Sequence, residues 1–253
     1  MNVSPPCAFL LLCLAVSRPT SAQPPADSPP PPLWDAQVGA SFVGTSGNSD
    51  TASTGADFTA HRRGLIWQID AAASVLRTSN QDVTTGERYF GMARLRRALT
   101  PMVGLSSGVK LERDPFSGLD ARSITDAGLS WALVHQPRWT LDGVTSAAWL
   151  HESRTSGADV NDPVGVLQLL SRIPWSSTGE TTQRVTYYPD FKITPAYRTE
   201  AEITAQAAMN PRLALKIGYL FRYSNDPVLG FKRTDTTTTA SVVWRWKAAA
   251  PPP

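Results

Sequence analysis

Cysteine is confined to positions 7 and 13 of this chain, so once that leading piece is gone no disulfide and no cysteine metal site is left to it. Charge is scarce as well, at 18% of residues, and together with 21 prolines and 17 glycines this argues against long soluble helices. Basic runs are missing: the net charge is +3, but arginines are interspersed with acids, which weighs against nucleic acid as a partner. No long apolar run is present either. The stretch Ala8 to Val16 is too short to cross a bilayer as a helix. Histidine is rare, and His61, His135 and His151 belong to neither a GxSxG nor an HExxH pattern. We therefore expect no catalytic residue, cofactor or metal. Gly44 to Asp50 is rich in glycine but has no lysine, so it reads as a turn and not as a phosphate loop.

What is present divides the chain. Residues 1–22 read as a secretory signal, an apolar core followed by the small residues Thr20-Ser21-Ala22. Leu12 before Cys13 is bulky where a lipoprotein signal has a small residue. Residues 23–33 form a proline-rich leader, extended and unable to join a sheet ladder. Residues 248–253, alanine and proline only, are expected to be an unstructured tail.

Between them, residues 34–247 alternate. Leu65, Trp67, Ile69, Ala71, Ala73 and Val75 share one parity, and Gln68, Asp70 and Ser74 share the other. Ala201, Ile203, Ala205 and Ala207 likewise oppose Glu200, Glu202, Thr204 and Gln206. The same rhythm predicts about twelve strands, near 35–46, 50–62, 64–78, 86–98, 101–113, 120–133, 138–152, 162–173, 178–190, 196–209, 212–224 and 235–247. An even number closes a single-chain barrel with both termini on one side. Tight connections near Gly64, Pro101, Pro137 and Pro211 alternate with longer polar ones at 79–86, 114–120, 153–162 and 225–234, the asymmetry of periplasmic turns and external loops. The eight tryptophans, with Tyr89, Tyr187, Tyr188, Tyr197, Tyr219 and Tyr223, fall mostly near strand ends, where a headgroup zone suits them. The expected fold is an all-β, transmembrane, antiparallel up-and-down barrel in the outer membrane.

The parity opposite the apolar one gathers charge of both signs. Asp70, Arg94, Arg96, Lys110, Glu112, Arg198, Glu200, Glu202, Lys216 and Arg222 are the candidate lumen residues, accompanied by Asp57, Arg122, Asp126, Asp142 and Arg245. Such charges must be paired or hydrated. They either cross-link a narrow interior or line a small wet channel, and Gly104, Ser106 and Gly108 leave room that long arginines can fill.

Several stretches resemble one family. Gly44 to Thr51, Gly86-Glu87-Arg88-Tyr89, Glu112 to Asp120, Thr186 to Asp190, and Tyr219 to Asp235 are similar, in the same order, to the YdiY-like family, described as salt-induced outer-membrane proteins of unknown function. The resemblance implies a Gram-negative envelope barrel and carries over no catalytic residue. It also places Gly44 and Gly47 at positive φ in a tight turn and sets Glu87 and Arg88 near Glu112 and Arg113 at an open end, paired or hydrated.

The expected role is an outer-membrane barrel, monomeric, surrounded by lipid and inserted by the barrel-assembly machinery. It would serve envelope stress or salt response through narrow passage of small solutes or ions. Two alternatives remain, a secreted soluble β-protein binding an apolar ligand and an outer-membrane lipid-degrading enzyme.

Overall fold

The computed structural model describes residues 34–45, 51–64, 66–192 and 196–247. The expected signal, leader and tail lie outside the described residues. The strands are β1 (Trp34–Thr45), β2 (Thr51–Arg63), β3 (Trp67–Asn80), β4 (Val83–Ala98), β5 (Val103–Asp114), β6 (Leu119–Gln136), β7 (Trp139–Arg154), β8 (Val160–Pro174), β9 (Gly179–Pro189), β10 (Tyr197–Ala208), β11 (Leu213–Ser224) and β12 (Thr234–Lys247). All neighbours are antiparallel, and β1 closes on β12, so the sheet is a closed barrel of twelve strands in simple sequential order. Closure gives each strand a ladder partner on both sides over at least part of its length, which is how a sheet satisfies its backbone groups in hydrocarbon.

Alternation decides what faces where. Along β5, Gly104, Ser106, Gly108, Glu112 and Asp114 are buried while Leu105, Val109 and Leu111 are exposed. Charged side chains are thus inside and apolar ones outside, the inverse of a soluble core. Val38, Phe58, Val75, Leu95, Leu167, Leu169, Ile203, Leu215 and Ile217 extend the apolar surface around the barrel. Exposed Trp34, Trp67, Trp149, Trp175, Trp244 and Trp246 belong to it, and Tyr187, Tyr197 and Tyr223 form a row with ring centroids 5.7 and 5.8 Å apart. An apolar band with aromatic residues is the surface of an outer-membrane barrel. The soluble alternative, with an apolar interior, is overturned by this arrangement.

Both ends of the barrel wall, Trp34 and Lys247, lie on the side of the short turns 64–66, 99–102, 137–138, 175–178 and 209–212. On the opposite side the connections differ from expectation. The stretch 79–86 is no long loop: Val83 resumes the ladder directly after a turn at Gln81 and Asp82, both at positive φ. Gly44 is not in a turn but inside β1, paired with Ala52, while Gly47 lies outside the described residues. Tyr188 does not join the outer aromatic band either; it is buried in the lumen, against Ile124, Leu150, Val164 and Val166.

The seam between β1 and β12 is short. Pairing runs from Asp35↔Lys247 to Ala40↔Val242 and stops there, although β1 continues along β2 to Thr45 and β12 continues along β11 from Thr234.

Candidate functional site in the barrel lumen

The bore has two halves of different character. On the terminus side lies a cavity of about 490 Å³ that reaches the rim at Asp35, Arg63, Asp142, Arg172 and Glu180, and ends inward near Arg88, Glu200 and Leu220. Asp70 accepts from His61 Nδ1 at 2.7 Å and from Arg96 Nη2 at 2.5 Å on its wall. Arg184 Nη1 donates to Glu202 Oε2 at 2.9 Å, and Arg63 pairs with Asp35 at 2.8 Å. Arg172 also lines this cavity. Such a lining is wettable, with charges of both signs close to one another.

Midway, Arg94 makes a two-pronged bond to Asp126, at 2.9 and 2.8 Å, and donates to Ser106 Oγ at 2.8 Å. Its guanidinium lies over Gly108, where an added Cβ would come within 2.7 Å of Arg94 Nη2. The small residues of β5 do make room for an arginine.

The loop-side half holds a dense ion-pair network. Glu112, with a side chain 1% exposed, is met by Arg88 at 3.1 Å and by Lys110 and Arg122 at 3.3 Å. Glu152, equally buried, takes Arg122 Nε at 2.8 Å, Arg154 Nε at 2.7 Å and Arg198 Nη2 at 2.7 Å. Lys110 Nζ also reaches Glu200 at 2.5 Å and stands 5.2 Å from the Tyr188 ring centroid. Arg222 binds Asp114 at 3.0 Å. Because β5 and β10, β7 and β10, and β5 and β11 are not neighbours, these bonds cross the interior. They bind one wall to another and narrow the bore.

All the sequence-predicted candidates can now be placed. Asp70, Arg96 and Glu202 line the terminus-side cavity, Arg94 bridges at mid-height, and Lys110, Glu112, Arg198, Glu200 and Arg222 form the loop-side network. Lys216 stands apart, donating to Asp57 Oδ2 at 2.5 Å across the inside of the β1–β12 seam. The expected meeting of Arg88 with Glu112 is present at 3.1 Å, whereas Glu152, Arg154, Asp114 and Tyr188 are members of the network that the sequence reading does not include. Their inward parity was the available signal, but they sit near strand ends, where a girdle or rim is the competing assignment. Glu87 and Arg113 lie 3.9 Å apart, a loose contact at the outer rim.

No histidine forms a nucleophile relay among the described residues. His61 bonds Asp70, His135 stands 3.2 Å from Asp142, and His151 bonds Asn161. The adjacent Glu152 points inward to its arginines, away from His151, as strand alternation requires.

Comparison with known proteins agrees with this geometry. Residues 38–246 match the family described as "Protein of unknown function, DUF481". The "Uncharacterized protein YdiY" of Escherichia coli (strain K12) is 23% identical over 212 residues, covering 83% of this chain and 82% of that protein. Among solved structures, the COG4313 outer membrane channel from Pseudomonas putida F1 superposes with a TM-score of 0.51 at 13% identity, covering 90% of this chain and 100% of that one. The translocator domain of the autotransporter NalP from Neisseria meningitidis gives a TM-score of 0.48 at 13% identity, over 88% and 90% of the two chains. The Pseudomonas likeness concerns the fold: a closed outer-membrane barrel.

Proposed function

The chain belongs to the DUF481 family, and from its lumen we propose that it is a narrow, wet outer-membrane pore for ions and small polar solutes, used in the envelope's response to salt or stress. The observation that carries this reading is the charged cavity of about 490 Å³ on the terminus side. The Nε atoms of Arg88, Arg94, Arg96, Arg222 and Arg245 are buried without a partner among the described residues, and water is the partner such donors find. The loop-side network sets the restriction. Lys110 and Glu200 are its narrowing pair, since together they span from β5 to β10.

The protein acts as a monomer in lipid, inserted by the barrel-assembly machinery. Support for the latter is the last strand, whose Val242, Trp244 and Trp246 face outward as an apolar, aromatic-ended signal.

Planar bilayers test the pore. Wild-type protein is expected to give small, discrete conductance steps, and the double variant Lys110→Ala/Glu200→Ala steps at least twofold larger. Absence of current above the lipid background in both would remove the pore reading.

A further inference from the structure

The barrel wall is incomplete in one place. Beyond Ala40↔Val242, no backbone hydrogen bond joins β1 to β12 among the described residues. Ser41 to Thr45 keep their bonds to β2, and Thr234 to Ser241 keep theirs to β11, so each strand is held on one side and bare on the other. Antiparallel geometry aims every second residue's N–H and C=O into that slit.

The slit has a polar inner lip and an apolar outer one. On the lumen parity stand Ser41, Thr237, Thr239 and Ser241, small and rich in hydroxyl groups. On the outer parity stand Phe42, 71% exposed, and Val242, with Tyr219 on the neighbouring strand opposite Thr238. Its lower end is fixed by a strap. Lys216 of β11 reaches Asp57 of β2 at 2.5 Å, passing behind both seam strands. Gly39 is what permits this, because a Cβ there would overlap the Asp57 carboxylate. The wall is therefore zipped and strapped on the terminus side and unzipped on the loop side, in the leaflet facing the loops.

We propose that the β1–β12 slit is a lateral opening that takes an amphiphile from the outer leaflet, its acyl chain between Phe42 and the outer face of β12 and its polar head among the lumen hydroxyls. Bare amide and carbonyl groups facing hydrocarbon are costly, and a polar headgroup drawn in at this level satisfies them. Ser41, Thr237, Thr239 and Ser241 are uncharged and belong to none of the cross-bore ion pairs among the described residues, so the head meets neutral hydroxyl groups at this level. The opening does not depend on whether the bore conducts ions.

Site-directed fluorescence quenching tests it. Cys7 and Cys13 are changed to serine so that one introduced thiol stands alone, and folding is verified by a heat-dependent gel shift. Thr239→Cys, on the lumen side of the slit, and Thr182→Cys, on the cavity wall three strands away in β9, are each labelled with bimane. Both proteins are placed in vesicles of phosphatidylcholine with brominated chains. Quenching at Thr239→Cys is expected to be at least threefold stronger than at Thr182→Cys. A third chain adds Ser41→Cys and Ser241→Cys, the next positions of the register, to unlabelled Thr239→Cys protein labelled after the pair is oxidised. Oxidation is expected to abolish the quenching and reduction to restore it. Equal protection of both labels, or equal quenching of both, overturns the proposal. A disulfide formed between chains in place of within one overturns it too, since the slit would then hold a second copy.

Discussion

Glu112 and Glu152 each neutralise three cations from inside the barrel, with side chains only 1% exposed. The dependence runs both ways, because removing either carboxylate leaves arginines buried with their charge uncompensated. Glu152→Ala is expected to lower unfolding stability by about 3 kcal/mol, read from the urea midpoint of the heat-sensitive gel band. Arg113→Ala, which loses only contacts of 3.9 and 3.6 Å at an exposed rim, should change it by less than about 0.5 kcal/mol. A loop residue offers a pH test. Lys192 Nζ lies 2.6 Å from Asp162 Oδ1, and that hydrogen bond with its charge attraction raises the ammonium pKa above the usual lysine value. A raised folded pKa contributes fully below the unfolded lysine pKa and is lost as pH climbs through the folded one. The gap in urea midpoint between wild type and Lys192→Met should therefore stay constant from pH 6 to 9 and shrink only above the ordinary lysine range.

Hairpins show where side-chain chemistry and backbone geometry disagree. Gln81 and Asp82 hold φ of 49° and 61°, the left-handed pair that a two-residue hairpin needs and that Asn-Gly supplies best. Gln81→Asn/Asp82→Gly is expected to stabilise the barrel by about 1 kcal/mol, measured by the same gel-shift midpoint. This element also marks where sequence reading reached its limit. The alternation in Leu65 to Val75 or Ala201 to Ala207 was legible because lipid demands an apolar side chain at every outward position. Past the bilayer that demand ends: Thr84, Thr85 and Glu87 continue β4 with polar residues on both parities, a pattern that reads as a loop although the ladder goes on. In β8 the failure is the opposite one. Val164 and Val166 face inward against Tyr188 while Leu167 and Leu169 face lipid, and apolar residues on both parities hide the period. Which charges meet was illegible for a third reason. Parity sends Lys110 and Glu200 inward, but their encounter depends on how far the strands stagger around the closed barrel. The unzipped end of the β1–β12 seam likewise has no local signature, since both strands keep their pattern and each is fully paired on its other side.

At the scale of the whole molecule, the two halves of the bore make its access one-sided. The rim residues of the cavity lie at the turn-and-terminus end, and the ion-pair network lies between that cavity and the external loops. In an outer-membrane barrel the short turns and both termini face the periplasm. A solute small enough to pass the network can cross, whereas a larger one can enter only from inside and must leave the same way. This separates size from side, and one residue measures both. Thr182, on the cavity wall, replaced by cysteine should react rapidly with a bulky, membrane-impermeant thiol reagent when the periplasmic face is exposed, as in opened envelopes. In intact cells the same reagent, applied from outside, should react at least tenfold more slowly, while a small methanethiosulfonate should react at similar rates in both preparations. Combining Thr182→Cys with Lys110→Ala/Glu200→Ala should erase the difference for the bulky reagent, because the cross-bore pair is what holds it out. If the bulky reagent reaches Thr182→Cys equally well from outside in the unaltered network, the ion pairs do not restrict the bore, and the lumen is an open channel for larger solutes.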